Sequence, residues 1–188
     1  MKRVFTILIC LAMMQTGSYA QSFFKGSNVI SAGIGLGGSL GSFSYGSQSP
    51  AISVQYERGV WEIGGPGVIS LGGYAGIKSY TFSGHAGDFR YSQKWNYTVI
   101  GIRSAYHYNG INNDKFDVYG GLMLSYNLLS YKYEDNGGGT VINSGSYGST
   151  AGITAYVGGR YNFINNLALF AELGYGVSYL TIGLALQL

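Results

Sequence analysis

Leu167-Ala168-Leu169-Phe170-Ala171-Glu172-Leu173-Gly174-Tyr175 reads as two interleaved rows. Leu167, Leu169, Ala171, Leu173 and Tyr175 form one row, and Ala168, Phe170, Glu172 and Gly174 the other. Side chains alternate across a strand, so a period of two gives each row its own face. The chain then repeats the pattern, setting Leu180, Ile182, Leu184, Leu186 and Leu188 against Thr181, Gly183, Ala185 and Gln187. Upstream, Ile153, Ala155, Val157, Gly159 and Tyr161 oppose Thr154, Tyr156, Gly158 and Arg160. Val118, Gly120, Leu122, Leu124 and Tyr126 oppose Asp117, Tyr119, Gly121, Met123 and Ser125. Thr98, Ile100, Ile102, Ser104 and Tyr106 oppose Val99, Gly101, Arg103, Ala105 and His107. No sustained apolar stripe at helical spacing appears anywhere, and glycine interrupts every long window.

Eight strands are predicted, at 27–37, 50–60, 67–82, 94–108, 116–133, 149–163, 166–175 and 178–188. Their charges obey one rule. Arg103, Asp117, Arg160 and Glu172 all lie on the face opposite the apolar one, and Glu57 and Lys78 follow suit. A soluble sandwich buries its apolar face and leaves its charges in water. A membrane barrel reverses this, with apolar side chains meeting lipid and polar ones filling the lumen. Periodicity alone does not separate the two. Small residues crowd the polar face, which suits a narrow barrel interior. Aromatic residues gather at strand ends: Trp61, Trp95, Tyr97, Tyr106, Tyr108, Tyr131, Tyr133, Tyr161, Phe163, Tyr175 and Tyr179. Rings of this kind belong at the two membrane interfaces. The connections 38–49, 83–93 and 134–148 are long and polar, while those at 61–66, 109–115 and 164–165 are tight. Outer-membrane barrels show this asymmetry between external loops and periplasmic turns.

Composition agrees. Charged residues are 10% of the 188-residue chain, aromatics 15%, and glycine supplies 32 positions, which argues against disorder. Two prolines and no glycine triplet period exclude collagen. One cysteine excludes a disulfide framework and a cysteine-rich zinc site. A net charge of +3, scattered, gives no nucleic-acid footprint. Lys2 and Arg3 precede an apolar run from Val4 to Met14, and Ser18-Tyr19-Ala20 ends it with small residues at the positions a signal peptidase reads. Residues 1–20 are therefore expected to be a cleaved signal peptide and 21–188 the barrel domain. No apolar run after residue 20 is long enough for a membrane helix, so a spanning form has to be a closed barrel.

The segments Ile102-Arg103-Ser104-Ala105-Tyr106-His107, Val118-Tyr119-Gly120-Gly121 and Ala171-Glu172-Leu173-Gly174-Tyr175-Gly176 resemble the small eight-stranded outer-membrane barrel family that includes OmpX and the membrane part of OmpA. The resemblance implies an all-β, eight-stranded antiparallel up-and-down transmembrane barrel in a Gram-negative outer membrane, with both termini facing the periplasm. It also implies an assembly signal in the last strand, carried here by Thr181, Gly183, Leu186 and Leu188 and read by the barrel-assembly machinery. Leu188 stands where that family usually ends in an aromatic residue.

Glu57, Lys78, Arg103, His107, Asp117, Arg160 and Glu172 are the candidate lumen network. Charges in so narrow a space must pair or be hydrated. They are expected to form a structural ion-pair network, with a narrow ion path as the alternative. His107 and Asp117 are predicted to pair directly across a turn centred near Asn112. Enzymatic options are thin. His85 in the 83–93 stretch has Asp88 and Ser83 nearby, and a hydrolase needs those three groups in mutual reach. No enzymatic activity, cofactor or metal site is expected. Gly59-Val60-Trp61 matches a short lipocalin element by chance, with Trp61 as an interfacial anchor. The glycine strings at 33–38 and 137–139 lack the features of a phosphate cradle. The expected role is structural or surface-interacting, with outer-membrane lipids around the wall and the external loops as the place for a surface partner. A small pore or an accessory subunit of an envelope complex are the alternatives.

Overall fold

Strand after strand, the alternating rows become alternating burial. The computed structural model describes residues 23–40, 46–111, 113, 115–144, 148–164 and 166–188. The expected signal peptide lies outside the described residues. Among the described residues ten strands follow in chain order: β1 (Asn28–Leu36), β2 (Ser47–Gln48), β3 (Ala51–Glu62), β4 (Gly67–Ala86), β5 (Phe89–Tyr108), β6 (Phe116–Asp135), β7 (Thr140–Ser144), β8 (Thr150–Ile164), β9 (Leu167–Tyr175) and β10 (Leu180–Gln187). Eight of them close a ring in the order β4-β3-β1-β10-β9-β8-β6-β5, with β5 returning to β4. Every pairing in the ring is antiparallel. The closing seam joins β1 to β10 from Val29↔Gln187 to Leu36↔Leu180, so the ring has no free edge. The short strands β2 and β7 add to β4 and β6 outside the ring.

A single closed layer has one inside and one outside, and the apolar rows are outside. Ile102 and its cross-strand partner Leu124 are 71% and 66% exposed, while Arg103, next to Ile102 on β5, is 2% exposed. This is the reverse of a soluble sandwich. Glu57, Lys78, Arg103, His107, Asp117, Arg160 and Glu172 are all buried inside the ring. Phe170 packs closely against the inner wall. Its ring lies over Gly33 and Gly183, where a Cβ on Gly183 would stand 2.7 Å from the ring and 2.1 Å from the Ala32 carbonyl oxygen.

Several sequence expectations change, beginning with the 38–49 stretch, which contains β2. The 83–93 stretch is not a long loop. β4 and β5 run on in unbroken register to Ala86↔Phe89, joined by the two-residue turn Gly87-Asp88. Gly87 has φ 63°, which a tight hairpin turn favours and which glycine adopts freely. The 134–148 stretch likewise contains β7, paired to the end of β6. Tyr97, read as an interfacial ring, points inward and is 4% exposed, packed edge-on to Tyr80 at 6.0 Å. Trp95, Tyr131 and Tyr133, read the same way, share its face and lie half-buried where β5 and β6 run past the mouth. Trp61 would also point inward by strict alternation. A register shift between Gly59 and Trp61 turns it to the outer surface.

Candidate functional site

The lumen is organised around two guanidinium groups. Arg103 (β5) places Nε 3.0 Å from Glu57 Oε1 and Nη2 2.7 Å from Glu172 Oε1. Its Nη1 donates to Gln55 Oε1, and its guanidinium lies 4.2 Å from the Tyr156 ring centre. Arg160 (β8) pairs with the other oxygen of Glu57 and, at 3.1 Å, with Asp117 Oδ2. Its guanidinium stacks 4.6 Å from the Tyr119 ring centre. Glu57 thus bridges the two cations, and Arg103 links Glu57 to Glu172. Planar forks suit this double pairing better than a lysine ammonium would. Tyr119 Oη donates to Glu172 Oε1 at 2.9 Å and closes the network on the far wall.

Asp117 carries the chain of contacts toward the end where β1 begins and β10 finishes. His107 Nδ1 lies 2.9 and 3.0 Å from its two carboxylate oxygens, and His107 Nε2 lies 3.1 Å from Ser70 Oγ. The two residues are not directly opposite each other. The register sets His107 against Tyr119, and the turn centres on Asn113, one residue beyond the expected position. Moving the centre by one residue displaces each partner by two, so His107 reaches Asp117 diagonally. Asp117 itself sits directly opposite Arg160 on β8.

Lys78 stands apart from the other six. Its ammonium donates to the backbone carbonyls of Gly37 and Val177, the latter at 3.2 Å, near the opposite end of the barrel. It therefore ties two connections, 37–40 and 176–178, across the mouth. Leu40, Tyr80, Tyr97 and Val177 pack there, and Leu40 N donates to Tyr80 Oη at 3.2 Å. The end where β1 begins is covered differently. Phe23 is fully buried and its ring stacks on His107 at 3.7 Å, nearly parallel. Asn109 Nδ2 donates to the Phe23 carbonyl at 2.9 Å, and Gly26 N to that of Gly59. Two small cavities flank the network. One of about 30 Å³ is bounded by Gln55, Arg103, Glu172 and Ser178, and one of about 10 Å³ lies beside Arg160, Asp117 and Gln187. The first has room for a water molecule or so.

Sequence reading passed over Gln55, Ser70, Tyr119 and Tyr156, although each has inward parity. Phe23 carried no such signal because it precedes the first strand. Ser83, His85 and Asp88 do not assemble. Ser83 Oγ donates to Ser92 Oγ at 3.4 Å, His85 faces Arg90 in register, and the Asp88 carbonyl accepts from Asn136. Of the last-strand positions, Thr181 and Gly183 lie opposite Gly35 and Gly33. Leu186 lies opposite Ile30, and Leu188 N donates to the Asn28 carbonyl at 2.9 Å.

No protein-family model and no curated protein matches the chain. Among solved structures, it is similar to Ail, the attachment invasion locus protein of Yersinia pestis, in complex with the heparin analogue sucrose octasulfate. The identity is 12%, the match covers 87% of this chain and 96% of that one, and the TM-score is 0.49. A second crystal structure of Ail matches over the same shares at 11% identity and a TM-score of 0.44. The closed eight-stranded architecture rests on the strand pairings themselves, and it is the architecture that small outer-membrane barrels have.

Proposed function

We propose that this chain is an integral outer-membrane barrel of a Gram-negative bacterium, with a lumen filled by its own side chains and a structural and surface-interacting role. One observation carries the proposal: outward positions at mid-barrel are exposed and apolar, while the mid-strand charges are buried inside. Water would not sustain that arrangement, and hydrocarbon does. On β5 the outward row from Thr98 to Tyr106 covers about 27 Å of strand, or about 20 Å of barrel height at the usual tilt. That is close to the apolar band of an outer-membrane barrel. Tyr106, Tyr108, Phe116 and Tyr161 ring one end of it, and Tyr126, Tyr175 and Tyr179 the other. Recognition of the last strand by the assembly machinery belongs to the same proposal.

A structural role for the lumen is favoured over an ion path by the Arg103 and Arg160 pairings and by the smallness of the cavities beside them. It is also favoured over catalysis. Ser70, His107 and Asp117 line up as hydroxyl, imidazole and carboxylate, but Ser70 is fully buried and Phe23 covers the imidazole. A substrate carbonyl has no place within reach of Ser70 Oγ. The test is refolding of residues 21–188 into lipid vesicles, followed by planar-bilayer recording. A heat-shifted gel band with a silent bilayer is the expected result. Reproducible conductance steps would overturn the filled lumen, and failure to insert would overturn the membrane assignment. A fluorophosphonate that labels Ser70 in the folded barrel would overturn the non-enzymatic reading.

A further inference from the structure

The sheet formed by β4, β5 and β6 continues past the level at which the opposite wall stops. β1 ends at Leu36, β9 at Tyr175, and β10 begins at Leu180, whereas β4 continues to Ala86 and β6 to Asp135. Pairing in the extension is unbroken, with Phe82↔Gln93, Gly84↔Tyr91, Gln93↔Tyr133 and Tyr91↔Asp135. From Tyr97 at the mouth to Phe89 at the tip, β5 covers about 27 Å. Alternation also continues, so positions of lumen parity now look across the mouth instead of into it. Six of them are aromatic: Phe82, Phe89, Tyr91, Trp95, Tyr131 and Tyr133. Their rings form two touching groups. Tyr91 lies 6.4 Å from Tyr133, 6.2 Å from Phe82 and 6.3 Å from Phe89, and Trp95 lies 5.7 Å from Tyr131. Phe89 is exposed and the other five are half-buried. Main-chain pairing already holds this sheet, so an aromatic face raised above the barrel calls for another explanation.

We infer that this face binds an uncharged saccharide chain. The inference rests on the outer-membrane, surface-interacting reading above and names the partner class. Flat rings with phenolic hydroxyls match the apolar C–H faces and hydroxyl edges of pyranose rings. The same face carries Gln93, opposite Phe82 and Tyr133 in register, and Asp135, opposite Tyr91, whereas the cleft of about 560 Å³ at the tip is lined mainly by side chains of the other face, Ser83, His85, Arg90, Ser92 and Glu134. Polar side chains set among apolar rings, here Gln93 and Asp135, are what orient a small ligand. Charge decides against a polyanion. The extension carries Arg90, Lys94 and Lys132 against Asp88, Glu134 and Asp135, and Lys132 is already paired with Glu134 at 2.5 Å. With no net charge it has no field to gather sulfates or phosphates. A partner strand would need only the main-chain edge of β7 and would leave the ring face unused.

The experiment uses the full barrel refolded in nanodiscs, with insertion and the heat-shifted band checked first. Maltohexaose, cellohexaose and chitohexaose are titrated at millimolar concentration, with tryptophan fluorescence and calorimetry as readouts. At least one should give a saturable change. Tyr91→Ala should weaken it at least tenfold, while Tyr161→Ala, at the far end of the wall, leaves it unchanged. No saturable change with any of the three overturns the inference, as does equal affinity in Tyr91→Ala. Binding confined to dextran sulfate and abolished by salt overturns it in favour of a polyanion site. Self-association through Tyr91, indifferent to the sugars, overturns it in favour of a second copy of the chain. An inserted barrel that ignores saccharides leaves the membrane assignment standing, whereas a chain that does not insert takes both down.

Discussion

Replacing Arg103 by methionine tests the lumen network at its centre. The side chain is 2% exposed and is the sole link between Glu57 and Glu172 among the described contacts. Without it, Glu57 keeps Arg160, but Glu172 keeps only Tyr119 Oη at 2.9 Å and Gln55 Nε2 at 3.5 Å. Two close charge pairs at an effective dielectric near 20 amount to about 4 kcal/mol each. Part of that returns, because a methionine needs no desolvation. Removing one partner of a buried pair costs about 3–5 kcal/mol in practice, and that is the expected loss here. It is a large share of the 5–15 kcal/mol that holds a typical domain. Glu172→Gln in the same chain removes the orphaned charge, so the double variant should be more stable than the two single losses predict. The coupling should be at least about 1 kcal/mol. The assay is urea unfolding in lipid vesicles, followed by tryptophan fluorescence. An Arg103→Met barrel within about 1 kcal/mol of the parent would refute the reasoning. So would strict additivity in the double-variant cycle, since it would mean the two groups do not see each other.

Leu122→Arg places a charge on the outward face at mid-wall and should cost about 2–4 kcal/mol in lipid. An equal stability of variant and parent in vesicles would show the face assignment to be wrong. Phe23→Ala removes a fully buried ring from its stack on His107 and should cost about 3 kcal/mol, read in the same urea titration. A null result would mean that the segment before β1 does not close that end. Gly183→Ala pushes a methyl toward the Ala32 carbonyl and the Phe170 ring and should cost about 1–3 kcal/mol. Phe170→Leu should recover part of it, and no recovery would place the strain in the backbone alone. Asp117→Asn should shift the ring-nitrogen NMR signals of His107, and an unchanged spectrum would contradict the diagonal pair.

Strand number and facing were legible in the chain because both follow from a local rule. A period of two assigns each side chain to a face without reference to its neighbours across the sheet. Arg103 against Ile102, or Glu172 against Leu173, is settled by adjacent residues. Only closure of the ring decided which charges meet. Arg103 reaches both Glu57 and Glu172, and Arg160 reaches Glu57 and Asp117, because register and diameter set cross-barrel distances that no single strand contains. The His107–Asp117 pair shows the limit clearly: the two residue types and their shared face were readable, but one residue of turn length decided whether they sat opposite or diagonal. Tyr97 and the 83–93 stretch were misread for a related reason. Where a strand passes the rim depends on how far its neighbours pair with it. β4, β5 and β6 pair well beyond the level at which the rest of the wall stops. Phe23 lay beyond any periodic signal, because its place is set by the opening that the closed barrel creates beneath His107.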